Sequence, residues 1–171
     1  MARFPLRRLR LRPGEEHREA VALSVEAFTL GGEPYTASPD DIPAELVVQR
    51  ASTGDVFQLR FTTTIEGPCM RCLAPASITV DVDAREYQAT DPSADDELLS
   101  DYVVEGELDL DAWARDQVAL SLPDQILCRP DCAGLCAECG ERLGPGHVSH
   151  AADEVDPRLA GLARFLERDA D

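Results

Sequence analysis

The chain contains no lysine and no asparagine, so all sixteen of its basic residues are arginine. They are outnumbered by 33 acidic residues, which gives a formal net charge of -17. A surface this negative repels phosphate backbones and argues against sequence-independent nucleic-acid binding by the whole molecule. Aromatic residues make up only 5% of the chain and offer few platforms for base stacking.

Long apolar runs are also missing. No stretch approaches the roughly 20 apolar residues of a membrane-spanning helix. Arginines interrupt the amino terminus before the apolar core of a secretory signal can form. We therefore expect a cytoplasmic protein without a membrane partner, whose thiols stay reduced. With 171 residues, of which 44% are hydrophobic, we expect a single domain over residues 1–171.

The apolar pattern predicts an α+β fold, with an antiparallel β-sheet, a few helices and a Cys/His zinc-knuckle region. Period-2 alternation around Val21, Phe57 and Val80 predicts mainly β-strands over residues 1–90. The acid-rich residues 91–108 are expected to form a loop and a short strand; a calcium site is the alternative, although their spacing does not match an EF-hand. Helices are predicted over 109–122, capped by Asp109, and over 156–168, beginning at Asp156-Pro157.

Six cysteines and two histidines lie at spacings typical of metal ligands. The set is Cys69-x2-Cys72, Cys128-x3-Cys132-x3-Cys136-x2-Cys139 and His147-x2-His150. The first pair falls between two predicted strands, at the tip of a hairpin. The others lie in residues 126–150, which are rich in glycine and proline and poor in apolar residues, so burial alone cannot fix their shape. Eight such ligands are enough for two tetrahedral zinc sites, and we expect one or two structural Zn²⁺ ions.

Three other interpretations of the cysteines fit the sequence less well. A disulfide framework needs an oxidising compartment. A thioredoxin-like redox pair needs a helix directly after the first cysteine, and Pro75 with the strand that follows leaves no room for one. A catalytic zinc needs an open position beside a general base, and no HExxH or related motif supplies one. Structural zinc remains the preferred interpretation.

The eight ligands can divide in two ways. In one scheme the two C-x2-C pairs share an ion, and Cys128, Cys132, His147 and His150 hold another. In the preferred scheme Cys69 and Cys72 meet Cys128 and Cys132, while the second site consists of Cys136, Cys139, His147 and His150. This scheme avoids interleaving the ligands. The alternative for both histidines is that they are exposed loop residues.

The amino-terminal segment holds the one basic cluster of the sequence. It contains five arginines and no acid within twelve residues: Arg3, Arg7, Arg8, Arg10 and Arg12. These arginines are candidate RNA contacts. The alternative is an amphipathic first strand, with Phe4, Leu6, Leu9 and Leu11 packed inward and the arginines merely solvated.

Several motifs together resemble the YceD family, named for accumulation of large-subunit ribosomal RNA in bacteria and plastids. The motifs are Cys69-Met70-Arg71-Cys72-Leu73, Leu122-Pro123, Cys128-Arg129-Pro130-Asp131-Cys132, Gly134-Leu135-Cys136 with Cys139-Gly140, and Asp156-Pro157-Arg158. The chain departs from the family pattern at Arg142-Leu143-Gly144, where many members have asparagine-leucine-asparagine. Other members carry cysteines in place of His147 and His150, and some lack the second knuckle.

The resemblance implies a non-enzymatic ribosome biogenesis factor that supports synthesis, processing or accumulation of large-subunit ribosomal RNA. Because the body is so acidic, we expect it to meet large-subunit precursors through basic ribosomal proteins or assembly factors. Two alternatives stay open: a zinc-dependent hydrolase or nuclease, with Asp131 and Glu138 as bases, and a redox-sensitive zinc-binding protein.

Overall fold

The computed structural model of the protein describes residues 2–91, 95–148 and 150. Within these residues the chain forms antiparallel strands and one α-helix, so the α+β fold class predicted from the sequence is confirmed. The helix predicted over 156–168 lies outside the described residues. The elements are Arg3–Pro5 (β1), Glu16–Leu23 (β2), Phe28–Leu30 (β3), Glu33–Ser38 (β4), Ile42–Arg50 (β5), Gly54–Pro68 (β6), Pro75–Ala89 (β7), Val103–Val104 (β8), Glu107–Asp109 (β9) and Leu110–Ser121 (α1).

The main sheet is built on a long hairpin. Strand β6 pairs with β7 along its whole length, from Gly54 opposite Ala89 to Pro68 opposite Pro75. The other edge of β6 pairs first with β5 and then with β4, and β2 and β3 extend the sheet. Both hairpin strands run further than the alternating apolar residues indicate. Their ends are fixed by pairing with each other, which the apolar pattern does not record.

The core lies on one face of this sheet. The inward positions of β6 are Phe57, Leu59, Phe61 and Ile65, all buried. Helix α1 adds Trp113, which is fully buried in the same cluster. The helix begins where the sequence predicts, because the Asp109 side chain accepts a hydrogen bond from the Ala112 N–H at 3.1 Å.

The far end of the hairpin is fixed by an aromatic ring. Gly67 leaves room for Tyr35, since a Cβ added at Gly67 would clash with the Tyr35 ring. The Tyr35 hydroxyl donates to the Pro68 carbonyl at 2.6 Å. The backbone is thereby held immediately before Cys69, the first of the candidate ligands.

The beginning of the chain is bound to the start of the helix. Strands β1, β9 and β8 form a small sheet. The buried Asp111 carboxylate accepts hydrogen bonds from the backbone N–H groups of Ala2 and Ser24. A 3-10 turn, Asp96–Leu98, precedes β8 within the acidic segment. In the described part of that segment no carboxylates gather as a metal site, so the calcium alternative gains no support.

Contacts within the chain divide it into two compact units, Met1–Cys132 and Ala133–Asp171. Each is described by itself below. The single domain expected over residues 1–171 stays a prediction.

Candidate metal centre

The first candidate ligands lie in the turn between β6 and β7, as their sequence positions predict. The Cys69 N–H donates to the Ala74 carbonyl at 2.6 Å, and the Leu73 N–H donates to the Cys69 carbonyl at 2.9 Å. These bonds close a tight knuckle that places both sulfurs on one side. No helix begins at Cys69, so the geometry of a thioredoxin-like redox pair is absent from this described segment.

The segment that leaves α1 supplies the other two thiols of this group. Ile126 is 1% exposed and anchors the segment in the core, and its carbonyl accepts a hydrogen bond from the Met70 N–H at 2.9 Å. Cys128 and Cys132 follow and face the hairpin tip. The Cys132 N–H donates to the Arg129 carbonyl at 3.1 Å, which forms a second turn opposite the first.

The four sulfurs of this group form a compact cluster. All ligand atoms lie within 4.8 Å of one another. The Cys69 and Cys132 sulfurs are 3.7 Å apart, and those of Cys72 and Cys128 are 3.6 Å apart. A tetrahedron with metal to sulfur bonds of about 2.3 Å has edges of about 3.8 Å. The spacing therefore fits a four-thiolate metal site, and none of the six cysteines is in a disulfide.

The pKa values of these thiols differ, because burial and hydrogen bonds act on them to different extents. Burial raises the pKa of Cys69, but the backbone N–H groups of Cys128, Arg71 and Cys72 outweigh it and lower that pKa to about 6. The hydrogen bond with the Cys72 thiol, then burial, raises the pKa of Cys128 to about 12. Four thiols at contact distance cannot all ionise unless a cation compensates their charge. The donor set thus suits a divalent metal ion.

A second group of possible ligands lies within the unit Ala133–Asp171. The ligand atoms of Cys136, Cys139, His147 and His150 are also within 4.8 Å of one another. The Cys139 sulfur is 3.3 Å from the His147 Nε2, and the two imidazole rings meet edge to face at 5.5 Å. Cys136 is half-buried and Cys139 is exposed, so solvent reaches this group more easily than the first.

The backbone around the second group repeats the knuckle of the first. The Gly140 N–H donates to the Cys136 carbonyl at 2.9 Å, and the Cys136 N–H donates to the Glu141 carbonyl at 2.7 Å. The backbone N–H groups of Cys139 and Glu138 lower the pKa of Cys136, which favours its thiolate. The chain thus brings the eight residues together in the two groups preferred from the spacing. That these groups bind metal stays a prediction.

Comparison with known proteins identifies a family whose profile matches this sequence. The profile of the family described as "Large ribosomal RNA subunit accumulation protein YceD" matches residues 57–166. The chain belongs to the YceD family. No solved structure matches this YceD chain.

Curated relatives of this YceD chain come from several bacteria. An uncharacterized protein of Mycobacterium tuberculosis is 36% identical over 74% of the chain, and one of Mycobacterium leprae is 33% identical over 75%. The uncharacterized protein YlbN of Bacillus subtilis is 27% identical over 66% of the chain and 69% of its own length. The aligned part spans 63% and 60% of the two mycobacterial proteins.

The predicted RNA contacts of this YceD chain do not form a free arm. Arg3 lies in β1 and is 3.8 Å from both Glu107 and Asp109. Arg7 lies against Gly106, where an added Cβ would be 2.8 Å from its Nε. All five arginines of the cluster are exposed, including Arg8, Arg10 and Arg12. Phe4 is buried, and Leu6, Leu9 and Leu11 pack against the core. The inward packing of the amphipathic alternative is therefore present, but only Arg3–Pro5 is a strand and Leu6–Arg8 form a 3-10 turn. RNA contact is untested.

Arg71 is a contributor that the spacing of the ligands did not reveal. Its Nε donates to the Gln125 Oε1 at 3.1 Å, and its Nη1 donates to the Cys132 carbonyl at 3.0 Å. The backbone N–H of Arg71 also lies 3.5 Å from the Cys69 sulfur. In the sequence it stands between two cysteines of the first family motif, and nothing there assigns it a contact. Its partners are 54 and 61 residues away along the chain, so no local pattern could indicate them.

None of the described helices is long and apolar enough to cross a membrane.

Proposed function

We propose that this chain is a non-enzymatic factor that supports synthesis, processing or accumulation of large-subunit ribosomal RNA. The single observation that carries the proposal is the four-thiol cluster of Cys69, Cys72, Cys128 and Cys132 in a chain of the YceD family. With four protein ligands such a site has no open position for a substrate, which favours a structural ion over a catalytic one.

Zinc is the metal that suits both groups best. Four thiolates in a tetrahedron select zinc or an iron-sulfur centre, and two thiolates with two imidazoles are a common zinc set. Zinc does not change its oxidation state, so it stabilises a turn without redox chemistry. In the first group it would join the hairpin tip to the segment leaving α1. In the second it would close the loop from Cys136 to His150.

Large-subunit precursors are the proposed partners, in the cytoplasm. An acidic chain of net charge -17 is attracted to basic ribosomal proteins or assembly factors and repelled by bare RNA. The exposed arginines Arg8, Arg10 and Arg12 are the proposed exception, because they can reach phosphate groups beside such a protein contact. Arg3 is already engaged by Glu107 and Asp109 and contributes less.

The test is a depletion experiment in a host whose own copy of the gene is repressed. Wild-type protein is expected to restore the ratio of mature large-subunit to small-subunit ribosomal RNA, whereas Cys72→Ser is expected to restore it poorly. The small-subunit RNA is the internal control, and Ser77→Ala, on β7 near the same hairpin tip, is the matched variant. An unchanged ratio after depletion of the protein would contradict the proposal.

A second candidate function follows from the exposure of the second group. Because Cys139 is exposed and Cys136 half-buried, oxidants reach these thiols more easily than Cys69, Cys72 and Cys132 of the first group, in which only Cys128 is exposed. This favours redox-sensitive metal binding as an additional property. Reversible loss of about one zinc per chain under mild peroxide, absent in Cys139→Ser, would support it; retention of all zinc would contradict it.

A further inference from the structure

The two knuckle turns share one backbone conformation but differ at one side chain. In both, the residue after the second cysteine donates its N–H to the carbonyl of the first at 2.9 Å. In both turns that residue has a left-handed backbone conformation, with φ of 58° at Leu73 and 73° at Gly140. The second knuckle thus uses glycine and the first uses leucine for the same task.

Leucine is an unfavourable residue at this position. A left-handed backbone brings Cβ close to the following carbonyl oxygen, which glycine avoids. Burial could compensate the strain, but the Leu73 side chain is 60% exposed, whereas the adjacent Cys72 is 6% exposed. Nothing in the described fold of Met1–Cys132 therefore explains why leucine stands here. A residue held in an unfavourable conformation points to a role outside folding.

The turn holds the backbone that carries this side chain in a fixed position. Within the turn, the Cys69 N–H donates a hydrogen bond to the Ala74 carbonyl, and the Met70 N–H donates one to the Ile126 carbonyl. The Arg71 side chain donates to Gln125 and to the Cys132 carbonyl. Met70, in the same turn, is 37% exposed. An apolar side chain on a fixed backbone needs no ordering of the main chain when a partner binds it, which makes it a suitable anchor.

We propose that Leu73 is the apolar anchor of a docking surface formed by residues 70–73, and that its partner is a basic protein with an apolar pocket. The charge of the whole chain selects this occupant, since the one charged residue within 70–73, Arg71, is engaged by Gln125 and Cys132. A second copy would bring another net charge of -17, and RNA would bring phosphates, so both are repelled. A basic protein is attracted, and its pocket can cover Leu73. The inference rests on the proposed function in that the partner is sought among large-subunit proteins.

The test compares three substitutions at Leu73. Leu73→Gly removes both the side chain and the strain; Leu73→Asn keeps a similar shape and tolerates the left-handed backbone but is polar; Leu73→Met stays apolar. The probe is the set of proteins extracted from purified large ribosomal subunits and freed of RNA. Retention of individual proteins on immobilised chain is measured, together with zinc content and melting temperature.

We expect Leu73→Gly and Leu73→Asn to keep their zinc and melt at or above the wild-type temperature, but to bind the retained protein about tenfold or more weakly. Leu73→Met and Leu120→Gln, which alters an exposed leucine of α1, are expected to bind like wild type. A lower melting temperature for Leu73→Gly and Leu73→Asn would overturn the proposal, because leucine would then serve the fold. Equal retention by all variants would overturn it as well.

Two other occupants are tested with the same variants. If the wild type sediments as a dimer and Leu73→Asn as a monomer, the occupant is a second copy and the choice of a basic protein is overturned. The choice is also overturned if Leu73→Asn loses binding to naked large-subunit RNA while its binding to large-subunit proteins is unchanged. If wild type retains none of the large-subunit proteins, the inference fails. The RNA ratio in depleted cells still decides the proposed function independently.

Discussion

Arg71 connects the two halves of the first thiol group at the scale of a single residue. Its guanidinium donates to Gln125 and to the carbonyl of Cys132, both in the segment that leaves α1. It therefore holds that segment against the hairpin tip independently of any metal. Hydrogen bonds from a charged donor contribute more than neutral ones, but the exposure of one of these two reduces its share.

We predict that Arg71→Ala lowers the free energy of unfolding by about 1 to 2 kcal/mol, because it removes both bonds. Urea unfolding followed by circular dichroism measures the change. The matched control is Arg85→Ala, an exposed arginine of β7, which should change the free energy by less than about 0.5 kcal/mol. Equal effects of the two substitutions would show that Arg71 does not connect the segments.

Tyr102, like Arg71, joins two segments of the chain, because its side chain contacts helix α1. Its hydroxyl donates to the Asp116 carboxylate at 3.0 Å, and its ring stacks on Trp113 with centroids 6.2 Å apart. Burial, together with the Asp116 hydrogen bond and charge, raises the pKa of Tyr102 to about 12. In the unfolded chain a tyrosine titrates near pH 10. Between these values the folded state keeps a proton that the unfolded state has lost.

We predict that stability falls as the pH rises from about 10 to about 12, and that Tyr102→Phe removes part of this slope. The sign follows because the folded state binds more protons than the unfolded state in this interval. Urea unfolding at several pH values from about 8 to about 11.5 measures it. Tyr35, whose pKa burial also raises, leaves a residual slope in the variant. Identical slopes for variant and wild type would contradict the assignment.

At the scale of elements, the two knuckles differ in what surrounds them. The first lies between the hairpin tip and the segment leaving α1, and Cys69, Cys72 and Cys132 are buried. The second is made by one short loop, with an isolated bridge between Leu135 and Arg142. A buried site exchanges its metal only when the surrounding structure opens, whereas an exposed one exchanges directly.

We predict two zinc ions in the wild type, about one in Cys72→Ser and in Cys139→Ser, and none in the double variant. Each substitution removes one ligand from one group, and structural zinc binds poorly with three. Elemental analysis of the purified chains measures the content. One zinc in the wild type that is lost in Cys72→Ser and retained in Cys139→Ser would leave only the first group as a metal site.

The single variants also allow the rate of zinc loss to be measured for each group separately. A chelator is expected to remove zinc faster from Cys72→Ser, which keeps only the more exposed second group, than from Cys139→Ser, which keeps the first group, where three of the four thiols are buried. Release is followed with a zinc-sensitive dye. Equal rates would contradict the contrast in burial.

At the scale of the whole molecule, charge is divided between a small basic region and an acidic body. Without its first twelve residues the chain has eleven arginines against 33 acids. The described fold uses two of the five amino-terminal arginines for its own contacts, because Arg3 pairs with β9 and Arg7 lies against Gly106. Arg8, Arg10 and Arg12 are therefore the first candidates for RNA contact, although Arg3 and Arg7 are also exposed.

We predict that replacing Arg8, Arg10 and Arg12 by glutamine weakens association with large-subunit precursors. The dependence on salt is expected to become shallower, by about one unit of log-log slope for each phosphate that the variant no longer neutralises. Cosedimentation in gradients at several salt concentrations measures both. The control replaces Arg18, Arg60 and Arg85, which changes the net charge equally. Unchanged cosedimentation of the first variant would exclude RNA binding by these arginines.

The class of fold could be predicted from the sequence, as could the bounds of α1 to within one residue. Alternation of apolar residues is a local consequence of the pleat, and the Asp109 cap acts within three residues, so both are visible in the sequence. The position of Cys69 and Cys72 at a hairpin tip followed in the same way. The eight candidate ligands were also evident, because C-x2-C spacing is set by one tight turn.

The spacing left two ways of dividing those ligands open and favoured one; the folded chain is what brings the favoured groups together and supports them. Cys69 meets Cys132 across 63 residues because β6, β7 and α1 return the chain to the hairpin tip. The same folding engages Arg71 and fixes Arg3, while leaving Leu73 exposed in a left-handed backbone. Such contacts join residues far apart along the chain, and their energy depends on packing that no local pattern encodes.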